Sequence, residues 1–146
     1  MEERVLVPID GSPLSHQALR HAIEKFQDAR VIVFHVVNIL EPGYEIDETS
    51  LQKLLAGSGE WGAIEQEAAD HLLSEAEEIA SEYDRKITTD SEIGDPQRLI
   101  PEYTRENNID HIVMGVHGRD EKELSFVGQV AETVFFRAPV SVTTIR

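Results

Sequence analysis

Apolar positions along the chain alternate between two rhythms. "RVLVPID" is a short, nearly continuous apolar run with β-branched residues, and it predicts a buried strand over residues 5–9. In "GSPLSHQALRHAIEKF" the period lengthens. Leu14, Ala18, Ala22 and Phe26, with Leu19 and Ile23, make one helical face. Ser12 suits the N-cap of that helix and Pro13 its first position. "RVIVFHVVNI" returns to a continuous run and predicts a second strand over residues 31–37. Such runs suit a parallel sheet covered on both faces.

The middle of the chain differs. "ETSLQKLLAG" predicts a short helix, with Thr49 and Gln52 at capping-box spacing and Gly57 at its end. "GSGEWG" reads as a loop. "AIEQEAADHLLSEAEEIASEY" predicts a long helix whose buried stripe is Ile64, Ala68, Leu72, Ala76, Ile79 and Tyr83. Its other face is largely glutamate.

"KITTDSEIG" alternates Ile87, Thr89, Ser91 and Ile93 against polar residues, the pattern of a more exposed strand. "DPQRLIPEYTRENN" predicts a helix with Asp95 as N-cap and Pro96 first. Pro101 is expected to kink it or delay its start, and Asn107 and Asn108 suit a left-handed C-terminal cap. "IDHIVMGV" is a fourth strand. Residues 128–137 form a further helix with Val130, Ala131 and Val134 inward, and "PVSVTTI" is a last strand. The alternation predicts an α/β fold: a five-stranded parallel sheet with helices on both faces, Rossmann-like or flavodoxin-like. A single domain over residues 1–146 is expected. Ligands of such sheets bind beyond the carboxyl ends of the strands, where the strand order reverses.

Charge and composition narrow the classes of function. The net charge is −15. Residues 41–84 carry 13 acids and one base, Lys53, for a net −12, and the remainder is close to balanced at −3. The acidity therefore belongs to one segment. Nucleic acid is not expected as a partner, because binding it needs a basic stripe. There is no cysteine, hence no disulfide framework and no thiolate metal site. "MEERVLVPID" lacks the pattern of a signal peptide, and no apolar run approaches a membrane span. A cytoplasmic protein that engages no membrane is expected.

Three stretches bear on chemistry. Gly57, Gly59 and Gly62 match GxGxxG, but a helical segment precedes them where a dinucleotide site requires a strand, so they read as a connector. After the fourth strand, with Met114 leading in, Gly115-x2-Gly118-x9-Gly128 frames a loop that opens a helix. Its glycines permit close backbone approach, and the helix N-terminus supplies N–H groups and positive potential for a phosphate. On spacing alone a mobile turn followed by an ordinary helix start is the better reading. Asp10, at the end of the first strand, could meet a ribose or could stabilise its own "DGSP" turn.

Among the histidines, His117 is placed to touch a phosphate, whereas His35 reads as a satisfied core residue. No pair has metal-binding spacing, so no metal site is expected. No acid–base constellation for hydrolysis is visible and no catalytic residue is assigned. Any turnover is expected to be slow.

Taken together, "VLVPIDGSPLSHQAL", "VIVFHVV", "GDPQRLIPEYTRENNIDHIVMGVHG" and "GQVAETVFFRAPVSV" resemble the universal stress protein family over essentially the whole chain. The resemblance implies a five-stranded parallel sheet, often a homodimer through the last strand. It implies an adenine nucleotide such as ATP, with Mg²⁺ only alongside the nucleotide, and a role in stress response. The motif of ATP-binding members is G-x2-G-x9-G-[S/T]. Gly115, Gly118 and Gly128 match it, and Gln129 replaces the hydroxyl residue. By the same resemblance Pro8 and Asp10 flank adenine and ribose, Val36 touches adenine, and Val130 presents its backbone N–H to phosphate. A member that binds no nucleotide and acts as a dimeric protein-interaction module is the alternative.

Overall fold

Continuous burial puts the first predicted strand at the centre of the sheet. β1 (Arg4–Pro8) has Val5, Leu6 and Val7 wholly inaccessible. In the computed structural model, which describes residues 2–37, 61–117 and 128–146, it pairs in parallel with β2 (Arg30–Val37) and with β4 (His111–Gly115). β3 (Thr88–Ile93) adds outside β2, and β5 (Ser141–Ile145) outside β4. The order is β3-β2-β1-β4-β5 in one parallel sheet, which is the α/β architecture expected. β3 alternates exposed and half-buried positions, as its sequence indicates, because it lies at an edge.

The helices among the described residues are α1 (Pro13–Lys25), α2 (Trp61–Glu82), α3 (Pro96–Glu106) and α4 (Gln129–Arg137). Strand side chains alternate between the two faces, and each face has its own helix pair. Val5, Val7, Ile9, Val31, Val33 and Val113 pack with Ala18, Leu19 and Ala22 of α1 and with Ala76, Ile79 and Ala80 of α2. Leu6, Ile32, Phe34, Val36, Ile112 and Met114 pack with Leu99, Ile100 and Tyr103 of α3 and with Ala131 and Val134 of α4. On this second face Tyr103 stacks on Phe34 at 4.2 Å, and its hydroxyl donates to Asp90 Oδ2 at 2.9 Å. Burial, and then that hydrogen bond, push the phenol pKa upward.

Local chemistry sets the helix ends. Ser12 Oγ accepts the Ser15 amide, and Asp95 Oδ1 accepts the Gln97 amide, each just before a helix-opening proline. α2 and α3 both close on a left-handed residue, Asp84 at φ +52° and Asn108 at φ +53°. The amides that follow return to earlier carbonyls, Arg85 to Ala80 and Ile109 to Thr104. Arg85 then reaches back across the domain. Its guanidinium donates to the carbonyls of Ile23, Phe26 and Ala29, and so supplies a cation to the C-terminus of α1.

Several details differ from the sequence pattern. α2 begins at Trp61, inside the stretch read as a loop. Of the expected stripe of α2, Ala76 and Ile79 are buried and Leu72 and Tyr83 half-buried, and Ala69 and Ala80 are buried as well; the side chains of Ile64 and Ala68 lie outside the described residues. Pro101 does not delay α3, which starts at Pro96 and runs through it. The short helix expected near residues 49–57 lies outside the described residues, as do Gly57 and Gly59. No described helix is long and apolar enough to cross a membrane.

Candidate functional site: the crevice between the first and fourth strands

The chain leaves β1 towards β2 on one side and returns to β4 on the other. The strand order therefore reverses between β1 and β4, and in sheets of this kind the crevice that takes ligands lies at that point, beyond the carboxyl ends of the strands. Of the predicted site residues, Pro8, Val36, Met114 and Gly115 lie at or near the carboxyl ends of β1, β2 and β4, and Gly128 opens α4.

The floor comes from strand ends. Val36 and Met114 are buried and belong to the α3/α4 side of the sheet. Pro8, the last residue of β1, takes the same side by alternation with Val7. Three apolar side chains from three adjacent strands thus share one face at the crevice.

The turn that follows β1 is tightly specified. Ile9 lies one residue past the β1–β2 register, which ends at Pro8 with Phe34. Its amide donates to the Phe34 carbonyl, and its carbonyl accepts Nδ1 of His35 at 2.9 Å. Asp10 comes next, and its Oδ1 accepts the Ser12 amide at 2.9 Å. Gly11 between them sits at φ +83°, a conformation that favours glycine. A Cβ at Gly11 would also come within 2.6 Å of Leu72 on α2. Asp10 therefore does the turn chemistry that "DGSP" suggests. It does so at the carboxyl end of β1.

The other wall is β4 and its exit. Gly115 ends β4, Val116 is buried with its amide on the Ile145 carbonyl, and His117 is half-buried. Gly118 and residues 119–127 lie outside the described residues. The chain re-enters at Gly128, the N-cap of α4, whose amide donates to the Val116 carbonyl. That bond pins the N-terminus of α4 against the exit of β4. The first-turn amides of α4, Val130 included, have no intrahelical acceptor. With the helix dipole they present positive potential, suited to an anion.

Gln129 is exposed and borders a groove of about 330 Å³ between α3 and α4. Gln97, Glu132, Thr133, Phe136 and Arg137 complete the groove, and Thr133 Oγ1 donates to Gln97 Oε1 across it. These α4 positions lie on a different face from the buried Ala131 and Val134. Among the described residues, no group of three His, Asp or Glu side chains is arranged to hold a metal ion.

Two contacts at the site are not legible in the sequence. One is the His35 link to Ile9, because an isolated histidine in an apolar strand signals only burial. The other is at Gly115. Its Cβ would stand 2.8 Å from Leu14 Cβ and 3.3 Å from the Leu14 carbonyl carbon. The first turn of α1 therefore packs directly on the end of β4, and a motif glycine has a steric reason of its own.

With this geometry in place, the chain can be set beside known proteins. The model of the universal stress protein family matches residues 1–146, and the chain belongs to that family. Among individual relatives, it is 30% identical to universal stress protein MJ0531 of Methanocaldococcus jannaschii over 99% of this chain and 82% of that protein. The solved structure of the universal stress protein UspA from Lactobacillus plantarum superposes with a TM-score of 0.73 at 25% identity, covering 99% and 97% of the two chains. A universal stress protein family member from Arabidopsis thaliana, solved with AMP bound, superposes with a TM-score of 0.60 at 16% identity, covering 98% and 90%.

Gly115→Ala tests the packing at the β4 end. The added methyl has Leu14 and its backbone to displace, so stability should fall by about 1–3 kcal/mol in denaturant unfolding. An unchanged midpoint and slope would contradict the close approach of α1 to β4.

Proposed function

We propose that the protein is a small regulatory member of its family that binds ATP or another adenine nucleotide in the cytoplasm, in response to stress. The observation that carries this reading is the convergence at one crevice of an apolar face, a carboxylate and a helix N-terminus. Pro8, Val36 and Met114 would border adenine. Asp10 would accept a ribose hydroxyl. His117, the glycine frame of Gly115, Gly118 and Gly128, and the backbone of Gln129 and Val130 would take the phosphates, with Mg²⁺ bound only together with them. The AMP carried by the Arabidopsis relative supports an adenine ligand. Binding rather than turnover is the function proposed.

Gln129 modifies the phosphate end. It lacks the compact hydroxyl of the family motif and lies along the α3–α4 groove. The lost hydrogen bond to a charged group is on the order of 1.5–3 kcal/mol. Calorimetric titration with ATP and AMP, each with and without Mg²⁺, should show both binding. Gln129→Ser should tighten ATP by roughly tenfold or more and leave AMP nearly unchanged. Equal effects on both ligands would refute the phosphate assignment. Silence for both, in folded protein, would remove the nucleotide reading.

A second reading, a dimeric interaction module that needs no nucleotide, draws on the surface of the C-terminal elements. β5 lies at the sheet edge, where its outer side is a template for another strand. Phe135 and Phe136, at the end of α4, are 60% and 74% exposed. Both readings include a homodimer through β5, and in the second the acidic middle segment would meet a protein partner. Sedimentation equilibrium should give twice the 16.4 kDa chain mass. A chain mass that stays single at every concentration would overturn the dimer.

A further inference from the structure

Resting on the nucleotide reading above, we infer that His35 is a positioning residue of the crevice, acting through the Ile9 carbonyl on the turn that presents Asp10. β1 stops pairing regularly with β2 at Pro8. Beyond that point the chain must turn sharply, and a strand end without further restraint frays. Here one residue past the register is held through both of its backbone polar groups, by Phe34 at the Ile9 amide and by the His35 ring at the Ile9 carbonyl.

The imidazole suits this task. His35 is 2% exposed, so its hydrogen bond to the carbonyl does not compete with solvent. A carbonyl only accepts, so Nδ1 carries the proton and the tautomer is set by the contact itself. His35 shares the face of Val31 and Val33, beneath α1 and α2. Val36, the next residue, faces the other side with Phe34 and Met114. Consecutive residues of β2 thus serve the two halves of the crevice, Val36 its apolar floor and His35 the turn that bears the carboxylate. The chain is then handed on through Asp10 Oδ1 to the Ser12 amide and into the N-cap of α1.

The consequence is selective. Loss of the His35 donor should release the orientation of Asp10 while leaving the apolar floor intact. Ribose recognition should weaken and base recognition should not. The comparison is between AMP and 2′,3′-dideoxy-AMP, titrated into wild type, His35→Phe and His35→Asn. Asn places an amide N–H near the position of Nδ1, and Phe retains a ring without a donor. Should Phe not be accommodated, His35→Leu serves in its place.

Wild type should prefer AMP. In His35→Phe that preference should shrink roughly tenfold, the scale of one hydrogen bond to a charged acceptor, through weaker AMP binding with the dideoxy analogue unchanged. His35→Asn should restore most of the preference. Hydrogen exchange at the Ser12 amide, followed by NMR without ligand, should be faster in His35→Phe and close to wild type in His35→Asn.

A lowered melting temperature with an unchanged AMP preference would reduce His35 to a core residue and overturn the inference. So would an unchanged Ser12 amide in the variant without a donor, whatever the protein binds. Wild type that binds neither nucleotide would overturn the nucleotide reading itself, separately from the Ser12 result.

Discussion

The pairing of β1 on both of its sides is the constraint on which the rest of the structure depends. A wholly buried strand has to satisfy its backbone groups within the protein, so it needs a neighbour on each edge, and here these are β2 and β4. Because the chain supplies those neighbours in opposite directions, the order reverses at β1 and a crevice forms beside it. Right-handed parallel connections then place α1 and α2 on one face and α3 and α4 on the other. The crevice is a consequence of this topology.

What lines the crevice follows from the ends of these same elements. β1 delivers Pro8 and the Asp10 turn, β2 delivers Val36 and His35, and β4 delivers Met114 through His117. Gly128 ties the start of α4 to Val116. Several of these residues have a structural duty as well as a place at the site. Asp10 closes its own turn, Gly11 accepts a left-handed backbone against Leu72, and Gly115 makes room for α1. Motif residues of this kind would be retained for the architecture alone, so the glycine frame by itself does not establish a phosphate site. The union of an apolar floor, a carboxylate and a helix N-terminus is a stronger argument than any one of them.

Most of the architecture is legible in the sequence because burial writes itself into period. Continuous β-branched runs mark the central strands β1 and β2, alternation marks the edge strand β3, and Ser12-Pro13 and Asp95-Pro96 announce two helices through capping chemistry. Less visible are interactions between segments far apart in sequence. Nothing local in "YDRKI" indicates that Arg85 caps the C-terminus of α1, or that Asp84 adopts a left-handed conformation. The start of α2 is blurred because Trp61 and Gly62 have no strong helical signature. At the site, the carboxylate, the apolar residues and the glycines can be picked out, and the His35 contact cannot. A hydrogen bond from a side chain to a carbonyl on the neighbouring strand leaves no periodic trace.

The central claim is that an adenine nucleotide occupies the crevice between β1 and β4, and its most direct test is a residue-by-residue map of where AMP touches the whole chain. In ¹H–¹⁵N NMR spectra of the labelled protein, titration with AMP should shift the amides of Asp10, Gly11, Val36, His117, Gln129 and Val130. The amides of Arg4 and His111, at the opposite end of the sheet, should stay in place. Shifts confined to Gln97, Thr133 and Phe136 in the α3–α4 groove, or no shifts in folded protein, would contradict the account.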